Sequence, residues 1–254
     1  MSKGQVIVFA NQKGGVGKTT TVVNVGAYLA AAGRRVLLVD FDPQGNLSSS
    51  VGLSSDLPGA YELISGSVDV AAAIHPTSWE NLWVIPSNIN LTGANVELVD
   101  QEGREFFLKR ALEPVHERFE FILIDCPPSL GILTINGLSS AALVIIPLQC
   151  EYFALEGLSL LLNTIRSVQT GLNSDLRILG IVFTMYDART RLAHEVVDEV
   201  TGYFKGRVFR TIIPRNVRLS EAPSHSMPIH AYDPLCTGAL SYEKLAEEVS
   251  DRAS

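Results

Sequence analysis

A short stretch near the start of the chain, residues 6–20, most constrains what this sequence can fold into. It reads Val-Ile-Val-Phe-Ala followed by Asn-Gln-Lys-Gly-Gly-Val-Gly-Lys-Thr-Thr. The apolar run 6–10 predicts a fully buried strand, and residues 19–32 have helical spacing with good helix formers. The glycine-rich segment therefore joins the end of a buried strand to the start of a helix, where unpaired N–H groups and the positive helix dipole face an anion.

The side chains of this loop suit a triphosphate with a divalent cation. Gly14, Gly15 and Gly17 let the backbone close around phosphate groups. Lys18 supplies a point charge for the β and γ oxygens, and the Thr19 hydroxyl is positioned to ligate magnesium. The sequence predicts a phosphate-binding loop of the Walker A type.

The loop departs from the usual pattern G-x-x-x-x-G-K-[ST] at its beginning. Gln12 stands where the first glycine is expected, and a second lysine, Lys13, follows it. Lys13 is either a solvated loop residue or a functional charge. We favour the functional reading because an ammonium group this close to a triphosphate is strongly attracted to it.

Two further apolar runs end in carboxylates. Residues 35–40 predict a buried strand that ends in Asp40, with Asp42 two residues later. Because the carboxyl ends of parallel strands line the ligand crevice of an open sheet, both acids are expected near the phosphates. One would hold the water shell of magnesium and the other would orient an attacking water. The alternative for Asp42 is that it only caps the next turn.

The second of these runs, residues 121–125, ends in Asp125 and is followed by Cys-Pro-Pro-Ser. This is a Walker B pattern, in which the carboxylate holds magnesium through water opposite Thr19. The two prolines suit a loop that shifts with the γ-phosphate.

The rest of the chain alternates between apolar runs and helical patterns. This alternation predicts an α/β fold with a doubly wound, mainly parallel sheet covered by helices on both faces, formed by residues 1–254 as a single domain. The further predicted strands are 82–86, 143–147, 177–184 and 208–213. The further predicted helices are 60–64, 68–74, 103–118, 154–167, 185–204 and 239–252.

Charge is distributed unevenly along the chain. The net charge of −7 argues against nucleic acid as a partner. Residues 166–220, however, contain nine basic and five acidic residues, so this segment is net +4 and the remainder is −11. The basic segment is either a nucleic-acid-binding face or an ordinary solvated surface, and charge alone does not decide between them.

The spacing of the cysteines and the first residues of the chain indicate the cellular compartment of the protein. Three cysteines, Cys126, Cys150 and Cys236, lie far apart without a C-x-x-C pair, which suggests no disulfide framework, zinc site or iron–sulfur site. No secretory signal precedes the first strand and no apolar run is long enough to span a bilayer. We expect core thiols in a reducing cytoplasm.

Taken in order, the motifs resemble those of the ParA/MinD superfamily of P-loop ATPases, and within it the ParA/Soj-type partitioning ATPases. The resemblance extends over nearly the whole chain, which begins at its first strand like the short chromosomal form without an N-terminal helix-turn-helix domain. Its motifs are the deviant loop K-G-G-V-G-K-T at 13–19, D-x-D-P-Q at 40–44, D-C-P-P-S at 125–129 and I-P-R-N-V-R-L-S-E-A-P at 213–223.

The resemblance implies specific roles. It implies slow hydrolysis of ATP with Mg²⁺ in a homodimer that forms on ATP binding, non-specific DNA binding by that dimer, a ParB/Spo0J-type partner that accelerates hydrolysis, and nucleoid association. The implied catalytic residues are Lys13, which reaches the partner subunit's nucleotide, Lys18 and Asp42. Magnesium is assigned to Thr19, Asp40 and Asp125. ATP is assigned to Lys13, Gly14, Gly15, Val16, Gly17, Lys18, Thr19 and Thr20, with Pro214 and Asn216 flanking the adenine. DNA is assigned to Arg189, Arg191 and Arg218.

Two other classes of P-loop protein, the MinD-like positioning ATPases and the metal-cluster enzymes, have sequence features that distinguish them from this chain. MinD-like positioning ATPases bind membranes through a basic amphipathic tail. Here residues 239–252 carry four acidic residues against Lys244 and Arg252, so no membrane partner is expected. A metal-cluster P-loop enzyme needs paired bridging cysteines, and Cys126 has no partner in a suitable motif.

Overall fold

The computed structural model describes residues 4–98, 100–152 and 154–254. Within these residues, seven strands form one sheet in the order β3-β4-β2-β5-β1-β6-β7, and all neighbouring strands are parallel except β3 and β4. The strands are β1 Gln5–Phe9, β2 Val36–Asp40, β3 His75–Pro76, β4 Leu82–Ile85, β5 Phe121–Asp125, β6 Leu143–Gln149 and β7 Arg177–Thr184.

Helices connect the strands. The α-helices of the described residues are α1 Lys18–Ala31, α2 Asn46–Ser50, α3 Ala60–Ile64, α4 Val70–Ala73, α5 Ala94–Glu97, α6 Phe107–Leu112, α7 Ile132–Ser140, α8 Ala154–Gly171, α9 Arg191–Tyr203, α10 Val217–Glu221, α11 Ile229–Tyr232 and α12 Thr237–Ala253. Short 3₁₀-helices cover Ile89–Thr92, Arg104–Phe106, Glu113–Val115 and Ala222–His225. None of the helices in the described ranges combines the length and apolar character that a bilayer crossing requires.

The sheet is buried on both faces, which explains why its strands read as continuous apolar runs. Side chains alternate across each strand. On one face Val8 and Val39 pack among residues of α3, α6, α7 and α8, and on the other Phe9 and Leu38 pack among residues of α1 and α12. The predicted doubly wound α/β fold is confirmed.

The carboxyl edge of the sheet brings the distant motifs together. In the register of the three central strands, Asp125 of β5 lies opposite Phe9 of β1 on one side and Asp40 of β2 on the other. The phosphate-binding loop follows β1 directly. Three segments separated by 30 to more than 100 residues in sequence therefore meet at one point because their strands are neighbours.

The predicted strand at 208–213 is wrong. This segment follows β7 as single bridges, with N–H groups of Phe209 and Ile213 donating to carbonyls of β7. Between them, the N–H groups of Arg210 and Thr211 donate to the Glu248 carboxylate of α12, at 2.9 and 3.2 Å. Because a side chain takes these two donors, a continuous ladder does not form.

Two predicted helices have different limits. The pattern at 103–118 is divided into two 3₁₀-helices and the short α6, and Pro114 at the start of the last segment cannot continue an α-helix. The predicted helix 185–204 begins only at Arg191. Its first residues instead form a turn in which the Thr190 N–H donates to the Asp187 carbonyl at 3.1 Å.

Candidate nucleotide-binding site

The glycine loop between β1 and α1 has the predicted form. Gly15 and Gly17 have φ angles of 74° and 77°, a left-handed conformation that favours glycine, and Gly17 is the residue from which α1 begins. The first N–H groups of α1 consequently face outward at the carboxyl edge of the sheet, in the arrangement that binds phosphate. Lys18, the first residue of α1, is 6% exposed.

Two polar side chains that sequence reasoning did not single out hold the loop. Asn11 donates from Nδ2 to the Pro147 carbonyl at 2.7 Å, and its Oδ1 accepts from the Lys13 N–H at 3.0 Å. Thr184, the last residue of β7, donates to the Val16 carbonyl at 2.8 Å. The only sequence signal was a polar residue at the end of each apolar strand. These bonds attach the loop to β6 and β7.

Asp125 and Thr19 meet as the Walker motifs predict. The Thr19 hydroxyl donates to Asp125 Oδ2 at 2.6 Å, while the buried Oδ1 has no hydrogen-bond partner among the described residues. Burial, and secondarily the charge of Asp40, raises the pKa of Asp125 to about 8, although Lys18 acts in the opposite direction. A buried carboxylate with a free oxygen beside a threonine hydroxyl fits a Mg²⁺ ion or its water shell.

Asp40 is buried beside this pair and is already hydrogen-bonded. Its Oδ2 accepts from both the backbone N–H and the hydroxyl of Ser48, at 2.9 and 2.6 Å. Burial nevertheless raises the pKa of Asp40 to about 6. The assignment of Asp40 to magnesium stays a prediction, and the structure shows that Ser48 of α2 occupies one of its oxygens.

Asp42 lies beyond the end of β2, in the loop that leads to α2. Its carboxylate accepts from the Gln44 N–H at 3.0 Å, which is the turn cap considered above. It is 8% exposed, and its charge contributes to the raised pKa of Asp125. Asp42 therefore caps this turn and also lies near Asp125, and its catalytic role stays a prediction.

Lys13 differs from Lys18 in its exposure and in its partner. Its side chain is 39% exposed, and its ammonium group forms an ion pair with Glu151, which follows β6. The same carboxylate accepts a hydrogen bond from the Gln149 side chain. Lys13 and Glu151 are 138 residues apart, so no local sequence pattern predicted this pair.

Pro214 and Asn216 line a cavity next to the glycine loop. The cavity has a volume of about 590 Å³ and shares Gly17 and Thr20 with the loop. Asn216 caps α10 by accepting from the Arg218 N–H at 2.8 Å and donates to Thr237 at 2.9 Å. A pocket that continues from the phosphate loop has the position expected for a nucleoside.

The three arginines assigned to DNA are exposed and each contacts a carboxylate. Arg189 forms a bidentate pair with Asp187 at 2.9 and 2.7 Å, which holds the pKa of that carboxyl well below its usual range. Arg191 pairs with Glu195 at 2.7 Å. Arg218 contacts two carboxylates, those of Glu221 at 2.8 Å and Asp233 at 3.3 Å.

The described residues contain no group of three or more His, Cys, Asp or Glu side chains that could enclose a metal ion. Nucleotide-binding proteins hold Mg²⁺ through one or two protein oxygens together with water and phosphates. The cysteine thiols have the properties of core residues. Cys126 is fully buried, and burial raises the pKa of Cys150 to about 11.

These features define a P-loop ATPase of the deviant Walker A type, with two loop lysines, two carboxylates at strand ends and a third in the loop after β2. A family profile described as "AAA domain" matches residues 4–178. The chain is 61% identical to the chromosome-partitioning ATPase Soj of Treponema pallidum over 98% of both chains. It is 56% identical to the sporulation initiation inhibitor protein Soj of Bacillus subtilis, with 97% and 98% of the chains covered.

Solved structures agree with the fold. A Mycobacterium smegmatis protein named cobyrinic acid a,c-diamide synthase, crystallised with an ATP analogue and magnesium, superposes with a TM-score of 0.86 at 43% identity, over 96% of this chain and 93% of that one. The high identity to partitioning proteins over almost the full length decides the relationship. The chain belongs to the Soj/ParA family of chromosome-partitioning ATPases.

Proposed function

We propose that this chain is an ATP-dependent dimerising switch that binds DNA non-specifically and drives partitioning of a chromosome or plasmid. The observation that carries the proposal is the position of Lys13. Its ammonium group lies at the surface of the loop, paired with the equally exposed Glu151, while Lys18 is buried. This exposure supports the proposal, because an exposed lysine on the phosphate loop would reach a nucleotide bound in a second subunit.

Hydrolysis would use the residues at the carboxyl edge of the sheet. Asp42 orients the attacking water, and Lys18 together with the partner subunit's Lys13 stabilises the negative charge that spreads over the γ-phosphate in the transition state. Magnesium held at Thr19 and Asp125, with Asp40 behind them, would neutralise charge on the phosphates. The adenine would lie in the cavity that Pro214 and Asn216 line.

DNA binding by Arg189, Arg191 and Arg218 would follow dimerisation. One copy of this surface has few uncompensated charges, because each arginine contacts a carboxylate. Two copies on one face of a dimer double the contacts with phosphates, and contacts with phosphates carry no base specificity. Hydrolysis opens the dimer and releases it, a step that a ParB/Spo0J-type partner accelerates. The protein would act in the cytoplasm on the nucleoid.

The first test is the oligomeric state in ATP and Mg²⁺, measured by light scattering. The Lys13→Ala variant should bind ATP but remain monomeric, whereas Asp42→Ala should form a long-lived dimer because it cannot complete hydrolysis. Lys205→Ala, which removes an exposed lysine outside the site, is the matched control and should behave as the wild type. ATP-dependent dimers of Lys13→Ala would refute the cross-subunit role.

One observation favours a second candidate, a MinD-like positioning ATPase that acts on a protein cargo without DNA. The three arginines assigned to DNA all lie beside carboxylates, so the surface is less basic than its sequence suggests. Binding to a DNA duplex of arbitrary sequence, in low and high salt and in ATP or ADP, separates the two. ATP-dependent, salt-sensitive binding that the Arg189/Arg218 double alanine variant loses supports the DNA switch. Dimerisation without DNA binding supports the second candidate.

A further inference from the structure

The short helix α2 after Asp42 is attached to the nucleotide site by one side chain. Ser48 uses its backbone N–H and its hydroxyl to donate to the same oxygen of Asp40, at 2.9 and 2.6 Å. These two bonds close the segment 40–48 into a loop, and Asp42 lies on that loop. Asp40, Ser48 and Asp42 are 0%, 2% and 8% exposed, so water is largely excluded from these contacts.

The Ser48 hydroxyl also has a second partner, on a different segment. Its oxygen accepts from the Ser87 N–H at 3.0 Å, just beyond the end of β4. A hydroxyl that donates to one group and accepts from another has its orientation determined by both. Removing it would take one bond from Asp40 and leave the N–H of Ser87, a residue only 1% exposed, without this partner.

The loop is restrained between these two points. The Asp42 N–H lies 3.4 Å from the other oxygen of Asp40, and the Asp42 carboxylate accepts from the Gln44 N–H. At Gly45 (φ 64°) a Cβ atom would come within 3.0 Å of the Ser87 carbonyl oxygen, so backbone and backbone approach closely there. Asp42 therefore has its position determined from β2 on one side and from α2 and Ser87 on the other.

We propose that Ser48 is a positioning residue for hydrolysis, which holds the loop so that the Asp42 carboxylate faces the γ-phosphate site. The inference rests on the proposed function, in which Asp42 orients the attacking water. Ser48 contacts neither ATP nor water in this scheme. It acts through Asp40 and the loop, and it connects them to Ser87, which lines a polar surface cavity of about 890 Å³.

The test is single-turnover ATP hydrolysis by Ser48→Ala, measured together with the affinity for a non-hydrolysable ATP analogue. Misplacement of a catalytic group by a fraction of an ångström is expected to lower the hydrolysis rate about tenfold or more and to change the analogue affinity by less than about threefold. The matched control is Ser49→Ala in the same helix, whose exposed hydroxyl only donates to the Asn46 carbonyl, and it should hydrolyse ATP at the wild-type rate.

A double-mutant cycle with Asp42→Ala separates positioning from a general loss of structure. If Ser48 acts through Asp42, the double variant hydrolyses ATP no more slowly than Asp42→Ala alone. Wild-type hydrolysis by Ser48→Ala, an equal loss of analogue affinity and rate, or additive losses in the cycle would each overturn the role of Ser48. A wild-type chain that hydrolyses no ATP would instead refute the proposed function, and the role of Ser48 with it.

Discussion

The nucleotide site and the arginine surface are built in opposite ways. Around the phosphate loop, carboxylates are buried and incompletely paired, as the free Oδ1 of Asp125 illustrates. On the arginine surface formed by Arg189, Arg191 and Arg218, each guanidinium is exposed and pairs with a carboxylate two to four residues away, and Arg218 also contacts Asp233. The first region holds buried carboxylates whose charged form a bound cation would stabilise. In the second, each arginine already contacts a carboxylate and would exchange that contact to bind a phosphate.

The largest effect is expected at Lys18, which is only 6% exposed at the start of α1. Replacing Lys18 with alanine should lower ATP hydrolysis about 10³-fold, since electrostatic stabilisation of a developing charge is strong in a buried site. Steady-state phosphate release measures it, with Lys109→Ala at the surface as the control. A loss of less than tenfold would contradict the placement of Lys18 at the γ-phosphate.

The next effect concerns stability of the nucleotide-free protein and its dependence on pH. The folded-state pKa of Asp125, about 8, lies above its ordinary value of 3.8, so the folded state binds this proton more tightly than the unfolded state does. The resulting stabilisation is complete below the unfolded pKa and is lost as pH rises to about 8. Between pH 6 and 8 the free energy of unfolding should therefore fall by up to about 1.4 kcal/mol per pH unit from this group.

Urea denaturation at several pH values in the presence of EDTA measures this slope. The Asp125→Asn variant, which resembles the protonated acid in shape, should lose most of the slope and be more stable than the wild type at pH 8. The control is Asp56→Asn, which changes an exposed carboxylate and should keep it. A wild-type stability that is constant between pH 6 and 8 would show that Asp125 is ionised in the folded protein.

A smaller effect tests whether the arginines exchange their carboxylate partners for DNA phosphates. The Asp187→Asn variant should bind a DNA duplex several-fold more tightly in ATP, because Arg189 is then free to contact phosphate. Arg189→Ala should weaken binding and reduce the slope of log K against log salt by about one. Asp56→Asn makes the same change in net charge elsewhere. Equal tightening by both carboxylate variants would indicate a general charge effect.

The smallest effect is on folding stability at the arginine surface. Arg191 is 92% exposed in its side chain, so Arg191→Ala should shift the Tm by about 1 °C or less. Arg252 is a useful contrast, because its guanidinium contacts the Val208 carbonyl at 2.8 Å and Glu248 at 2.7 Å and is mostly buried. Arg252→Ala should lower the Tm by several times as much. Equal shifts would contradict the larger contribution expected from the buried guanidinium of Arg252.

Much of the fold followed from local patterns. The strands Phe121–Asp125 and Arg177–Thr184 have the predicted limits, and α1 and α12 differ from prediction by one or two residues. Long apolar runs and a glycine loop are strong local signals, because a strand buried on both faces tolerates few polar residues. The segment 208–213 is apolar at both ends but contains Arg210 and Thr211, whose N–H groups donate to the Glu248 carboxylate. That acceptor lies 38 residues away from Arg210 in sequence.

The sequence by itself predicted which residues gather at the carboxyl edge of the sheet: the two loop lysines, Thr19 and the acids at the ends of two apolar runs. Only the tertiary structure decided how they are held, through Glu151 beside Lys13, Ser48 beside Asp40 and Thr184 beneath the loop. The physical reason is the distance in sequence over which each kind of interaction acts. Strand, turn and helix preferences act over a few residues, whereas hydrogen bonds and ion pairs between distant segments depend on which strands become neighbours in the sheet.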